Sequence, residues 1–272
     1  MNYKQNLHTH TTRCDGIDTP EKVVLTAISK GFDSIGFSGH SHMKYSSFKH
    51  ITHSTTAAYR HEIYALKEKY RGKIDIFCGI EYEMLCDDSK DGWEYMIGST
   101  HYLCHGGETF NIDLSASDFE KMVNERFGGD GMALVKCYYE HISRLPQYGK
   151  FDLIGHFDLI TKNIDRLSLF DTDSHLYLKY ATDAMDALKG KIDLFEVNSG
   201  AIARGYRKTP YPMKNLLCEF QKRGFGAIIS SDCHNATQLD LYFDESAELL
   251  SECGFKEKYI LTENGFKAVD LR

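Results

Sequence analysis

Apolar residues in this chain fall into short, dense runs, separated by longer stretches in which they recur every three or four positions. The dense runs read as strands, at residues 4–8, DSIGFS (33–38), KIDIFCGIEYE (73–83), 94–103, FDLIGH (151–156), KIDLFEVNS (191–199) and FGAIISSD (225–232). The stretches between them carry helical spacing. Thr19 is suited to cap a first helix, Pro20 suits its first turn, and Gly31 ends it. Further helices are expected over 55–70, over 131–145 with Pro146 as the stop, over 173–189, from Pro212 to Gly224, and over the acidic stretch 244–253. Strands alternating with helices demand right-handed crossovers and a parallel sheet. Seven of them predict an α/β fold, a (β/α)7 barrel in one domain spanning 1–272, with an open doubly wound sheet as the competing architecture. Neither a G-x-G-x-x-G nor a P-loop sequence is present, which weakens the nucleotide-binding form of the open sheet. Three loops are long, at 41–54, 102–130 (with a short helix near 117–127) and 199–211. Loops of that length in a compact domain are often functional.

The residues that end the strands narrow the picture. His8 and His10 close the first run and His40 the second; Glu81, His101, His156 and Asn198 close the next four, and Asp232 and His234 the seventh. A parallel barrel gathers those C-terminal ends on one face, where barrel enzymes keep their active sites. His8 and His10 stand at i, i+2, so in an extended chain both imidazoles point to one side, and Asp15 follows in the next turn. Asp232 and His234 repeat that spacing in the last strand, which neighbours the first in a closed barrel. Glu81 can bridge two cations. Glu83 is its rival, and Glu81 is preferred as nearer the strand end. Imidazoles mixed with carboxylates suit zinc, iron or manganese better than magnesium or calcium. His61, His141 and His175 fall in helices away from the strand ends, whereas His42, His50, His53 and His105 fall on loops above them. Of these, His42 is best placed to touch a substrate or donate a proton. Arg204, Arg207 and Lys208 crowd loop 199–211, and a guanidinium matches the oxygen pairs of a phosphate. With no G-x-S-x-G elbow and no cysteine in a nucleophile context, a covalent mechanism is not expected.

Charge and cysteine content change this only at the edges. Lys plus Arg number 32 against 39 Asp plus Glu, a formal charge of -7. That sign argues against nucleic acid or an anionic membrane as partner, but leaves room for a small phosphorylated substrate. The 8 cysteines form no C-x-x-C pair, no signal-type leader is read, and no apolar run reaches the ~18 residues of a membrane helix. A cytoplasmic protein with reduced thiols is expected.

Taken in order, H-x-H, GFSGHSH, GIEYE, GSTHYL, GHFDL, EVNSG and SDCH resemble the motifs of the PHP superfamily of polymerase and histidinol phosphatase domains, over residues 4–235. The length, with no polymerase modules attached, is similar to that of the superfamily's stand-alone phosphatases. The resemblance implies a distorted (β/α)7 barrel with two or three divalent ions (Zn, Mn or Fe) at its C-terminal face. It implies one ion on His8, His10, Glu81 and Asp232, a second sharing Glu81 with His101 and His156, and a third on Asp15, His40 and His234. It further implies Arg204 and His42 around a phosphate, with Arg207 as the alternative arginine and His42 protonating the leaving group. The activity implied is metal-dependent hydrolysis of L-histidinol phosphate to L-histidinol and phosphate, a step of histidine biosynthesis. Glu108, Asp113 and Asp118 are the acids offered to the substrate's cationic groups. The alternatives are a PHP-type phosphoesterase for a sugar phosphate, nucleotide or phosphotyrosine, and a metal-binding interaction module without turnover.

Overall fold

A strand of apolar residues flanked by amphipathic helices hides both faces only when neighbouring strands run parallel and helices cover the outside, and the chain takes that arrangement. The computed structural model describes residues 3–43 and 50–271. In chain order the elements are β1 (Gln5–Asn6), α1 (Pro20–Ser29), β2 (Ser34–Phe37), α2 (His53–Lys69), β3 (Asp75–Glu83), β4 (Tyr95–Ser99), β5 (Tyr102–His105), β6 (Glu108–Asn111), α3 (Ala116–Phe127), α4 (Gly131–Ile142), α5 (Leu145–Tyr148), β7 (Leu153–Ile154), α6 (His175–Leu188), β8 (Leu194–Asn198), α7 (Gly200–Ala203), α8 (Lys214–Lys222), β9 (Gly226–Ser230), α9 (Phe243–Glu252), β10 (Glu257–Thr262) and β11 (Gly265–Asp270). The large sheet is parallel and runs β1-β2-β3-β4-β7-β8-β9, matching the seven expected runs in order. Its two ends meet at the mouth, where Thr9 bridges Cys233 in parallel and His10 N–H donates to Cys233 O at 2.9 Å. The result is a distorted, nearly closed seven-stranded barrel. The closing contact also sets the two i, i+2 motifs side by side.

Inside the barrel, Leu7, Phe77, Tyr95, Ile97, Leu153, Ile228 and Leu261 form one packed cluster. The Tyr95 hydroxyl donates to Leu7 O at 2.5 Å. A Cβ at Gly36 or Gly79 would run into the Tyr95 side chain, so these two strands pass close only because they carry glycine there. The antiparallel pair β10–β11 seals the N-terminal end of the barrel: the buried Gln5 side chain donates to Leu261 O at 2.8 Å and accepts from Leu261 N–H at 2.7 Å. Thr19 caps α1 and Pro20 opens it, as the sequence predicts. Among the described residues, no helix is long and apolar enough to cross a membrane. All 8 cysteines are free thiols.

Three expectations needed correction. The run 94–103 is not one strand: β4 stops at Ser99, and Tyr102 starts an antiparallel hairpin, β5–β6. Its apolar residues continue across the break, so periodicity cannot see it; the break is made by tertiary bonds, Glu83 accepting from His101 N–H at 2.8 Å and His101 O from Ile112 N–H at 2.9 Å. Pro146 does not stop a long helix but sits in the first turn of the short α5. The first strand is two residues long, with His8 and His10 beyond its paired part. In loop 41–54, residues 44–49 lie outside the described residues.

Candidate metal centre

Strand ends and the turns after them bring His8, His10, Asp15, His40, Glu81, His101, His156, Asp232 and His234 into one cluster at the C-terminal mouth. Two nitrogen or oxygen ligands, each ~2.1 Å from one tetrahedral ion, stand about 3.4 Å apart, farther than most hydrogen-bonded pairs. Most of the side-chain atoms here have that spacing. His8 Nε2 lies 3.4 Å from Glu81 Oε2 and 3.6 Å from Asp232 Oδ1. His10 Nε2 lies 3.5 Å and 3.2 Å from the same two oxygens. His101 Nε2 is 3.4 Å from Glu81 Oε1, the oxygen that His156 Nε2 meets at 2.9 Å. Asp15 Oδ2 stands 3.4 Å from His40 Nε2 and 3.3 Å from His234 Nε2. His40 also turns its Nδ1 to Glu81 Oε2 at 2.7 Å, so it straddles two groups of atoms. Among the described residues, buried His8 Nε2, His10 Nε2 and Asp15 Oδ1 have no hydrogen-bond partner. Buried polar atoms are rarely left so, and their convergence fits a divalent cation.

The backbone is shaped around these groups. Asp232 has φ 46, a left-handed conformation that a non-glycine residue holds only when its surroundings enforce it. A Cβ at Gly200 would lie 2.6 Å from Asp232 Oδ2, so glycine opens the room for that carboxylate. The field follows from the packing. Burial alone drives His8 toward its neutral form, but Glu196, Asp232 and Glu81 overcome this and hold its pKa at about 10. Burial likewise opposes ionisation of Glu81, and His40, His8 and His101 outweigh it, holding Glu81 well below the usual carboxylate range. Such a cluster of ionised carboxylates among imidazoles favours positive charge, whether carried by protons or by metal.

Of the partners behind the cluster, Glu196 was not singled out in the sequence. Glu196, fully buried in the middle of β8, meets His8 Nδ1 at 2.9 Å and accepts from His156 N–H at 2.7 Å, Asn198 Nδ2 at 2.8 Å and Ser230 Oγ at 2.5 Å. It fixes the His8 ring so that Nε2 faces the centre. The signal was present: a carboxylate inside an apolar strand must have partners. Glu83, the rival to Glu81, meets His101 Nδ1 at 3.1 Å. Asn198, which ends the sixth strand, accepts from Gly200 N–H at 2.8 Å and faces Asp232 at 3.4 Å. Cys14 Sγ lies 3.4 Å from His10 Nδ1.

Above the cluster opens a cavity of about 330 Å³. Arg204 lines it, with Nη2 3.0 Å from Asp232 Oδ2 and Nη1 donating to Asp232 O at 3.2 Å. Two expected substrate residues are not among the described residues that line it. Arg207 is buried: it donates to Thr161 Oγ1 at 2.6 Å, pairs with Asp158 at 3.5 Å and stacks on Tyr211. His42 is not among the lining residues, although Ser41, Met43 and His50 are; its ring sits 6.5 Å from that of His50. Of the three acids on loop 102–130 offered to the substrate's cationic groups, Asp113 lines the cavity, Glu108 pairs with Arg126 at 2.5 Å, and Asp118 bonds Ser115 at 2.6 Å at the start of α3. Lys162, which sequence reasoning passed over, also lines it.

A parallel barrel with histidines and carboxylates converging in its C-terminal mouth is a barrel protein equipped to hold divalent cations. The PHP domain profile matches residues 6–200, and the chain belongs to that family. It is 26% identical over 261 residues to a Deinococcus radiodurans protein named "Probable histidinol-phosphatase", covering 91% of this chain and 92% of that one. It is 23% identical over 271 residues to the histidinol-phosphatase of Bacillus subtilis, covering 90% and 98%. The fold matches that of the Lactococcus lactis histidinol phosphate phosphatase, whose crystal structure holds Zn, L-histidinol and phosphate, with a TM-score of 0.75, 18% identity, and 98% of this chain and 100% of that one covered.

Proposed function

We propose that this chain is a metal-dependent phosphomonoesterase that hydrolyses L-histidinol phosphate to L-histidinol and phosphate, as in histidine biosynthesis. The observation that carries the reading is the ligand-like spacing of imidazole nitrogens and carboxylate oxygens around Glu81, Asp232 and Asp15. The names of the relatives supply the substrate. Two or three ions of zinc, manganese or iron are held by His8, His10, Glu81 and Asp232, by Glu81, His101 and His156, and by Asp15, His40 and His234. When bound, such ions polarise phosphate oxygens and make water nucleophilic near neutral pH.

The protein's own groups do the rest. Glu196 and Glu83 orient His8 and His101 and keep their ring nitrogens aimed at the centre. Arg204 holds Asp232 and presents a guanidinium beside it, which offsets the charge that builds on the phosphate oxygens. His50, whose ring centroid lies 5.9 Å from that of His40, takes the place given to His42 as the group able to hold a proton near the departing oxygen. We take the compartment to be the cytoplasm.

The test is direct. Purified protein should carry two or three transition-metal ions and hydrolyse L-histidinol phosphate, with activity lost to a chelator and restored by added ion. Across a panel with a sugar phosphate, a nucleotide and phosphotyrosine, L-histidinol phosphate should show the highest kcat/KM. An active sample with less than one ion per chain would refute the metal reading, and a better substrate in the panel would refute the assignment.

A further inference from the structure

The substrate proposed above has ends of opposite charge. Phosphate belongs with the cation-rich floor and Arg204; the amine needs an anion elsewhere on the wall. The carboxylates lining the cavity are Asp15, Glu81, Glu83, Asp113 and Asp232. Four of them are taken up by histidines: Asp15, Glu81 and Asp232 inside the cluster, and Glu83 on His101. Asp113 is the one that remains.

We propose that Asp113 is a specificity residue that binds the substrate's ammonium group, an inference that rests on the functional reading above. It stands just past the β5–β6 hairpin, and its placement is rigid. Its N–H donates to Asn111 Oδ1 at 2.7 Å, and its Oδ1 accepts from Lys162 Nζ at 2.6 Å. Lys162 is itself buried and packs 4.1 Å from the centroid of the Tyr206 ring. One carboxylate oxygen is thus anchored. The other makes no hydrogen bond among the described residues, and the side chain keeps 34% of its surface exposed. A carboxylate fixed through one oxygen and open at the other can accept an ammonium N–H without reorganising. Asn111, Ser115, Tyr102 and Tyr206 line the same cavity and offer polar edges and ring faces to the rest of an aromatic amino alcohol.

Asp113→Asn tests this cleanly, because its Oδ1 can still accept from Lys162 while the charge is gone. With metal-loaded enzyme, kcat/KM for L-histidinol phosphate should fall about ten- to hundred-fold more than kcat/KM for para-nitrophenyl phosphate, which has no amine, and the loss should lie mainly in KM. Calorimetric titration with L-histidinol alone should show at least about tenfold weaker binding. Equal losses on the two phosphates would make Asp113 a structural partner of Lys162 and overturn the proposal, as would no loss on either. If the Asn variant fails to fold, Asp113→Ser is judged by the same ratio and the same titration. A wild-type protein that binds L-histidinol through Asp113 yet turns over no phosphomonoester would sink the functional reading and leave this one standing.

Discussion

Replacing Glu196 by Gln changes one atom in a fully buried side chain, yet it should weaken metal binding substantially. Four groups converge on the two carboxylate oxygens: His8 Nδ1 and Ser230 Oγ at Oε2, His156 N–H and Asn198 Nδ2 at Oε1. A Gln amide has one acceptor. If its nitrogen faced His156 and Asn198, three buried donors would meet with nothing to accept them. The amide therefore turns its nitrogen to the other side, where the Ser230 hydroxyl can reverse and accept. His8 Nδ1 must then accept too, which moves the ring proton to Nε2, the atom that faces Glu81 and Asp232. A protonated Nε2 cannot ligate a cation. Loss of an orienting carboxylate of this type costs about ten- to hundred-fold in metal affinity, equivalent to ~1.4–2.7 kcal/mol. Losing the charged hydrogen bonds should also destabilise the metal-free fold by ~1.5–3 kcal/mol. Competition with a chromophoric chelator measures the first effect and thermal melting of the apo-protein the second. An affinity within twofold of wild type, with an unchanged melting temperature, would refute the claim that Glu196 sets the His8 tautomer.

Glu81→Gln should strip more metal than any other single change, because Glu81 faces His8, His10 and His40 with one oxygen and His101 and His156 with the other; ion counts per chain decide it. Arg204→Ala should lower kcat/KM by about one to two orders of magnitude, and Arg204→Lys should recover only part of it, since an ammonium lacks the paired geometry. Arg207→Ala should instead destabilise the fold by ~3–5 kcal/mol, by stranding the buried Asp158, and this is read as a lower melting temperature. A stable Arg207→Ala protein without activity would return Arg207 to the phosphate site. His141 is buried, and burial, with Arg144 nearby, lowers its pKa from 6.5 to about 4. Its contribution is complete above pH 6.5, where folded and unfolded forms are both neutral; below that the unfolded chain binds a proton the fold refuses, so stability falls as pH drops from 6.5 toward 4. His141→Gln should flatten that fall, whose ceiling is ~3 kcal/mol, in denaturant titrations at a series of pH values.

What the sequence determined by itself was local in origin. Density and spacing of apolar residues marked the seven strands, since period and length are properties of a few neighbouring residues. The i, i+2 spacing marked His8 with His10 as a pair of imidazoles and Asp232 with His234 as a carboxylate–imidazole pair, because an extended backbone puts alternate side chains on one side; the left-handed turn at Asp232 belongs to the tertiary structure. Gathering all nine candidate ligands followed once the strands were parallel. Tertiary structure decided the contacts between strands. Glu196 meets His8 only because closure of the barrel leaves β9 alone between β8 and the first strand. Arg204 and Arg207 are three residues apart on one loop, yet one lines the cavity and the other is buried against Asp158, since α7 and the turn after it send them in different directions. His42 shares its neighbourhood with Ser41 and Met43, and only the three-dimensional structure sets His50 among the residues that line the cavity. The break after β4 is likewise held by Glu83 and Ile112 bonding to His101, 18 and 11 residues away in sequence, beyond the reach of any periodic pattern.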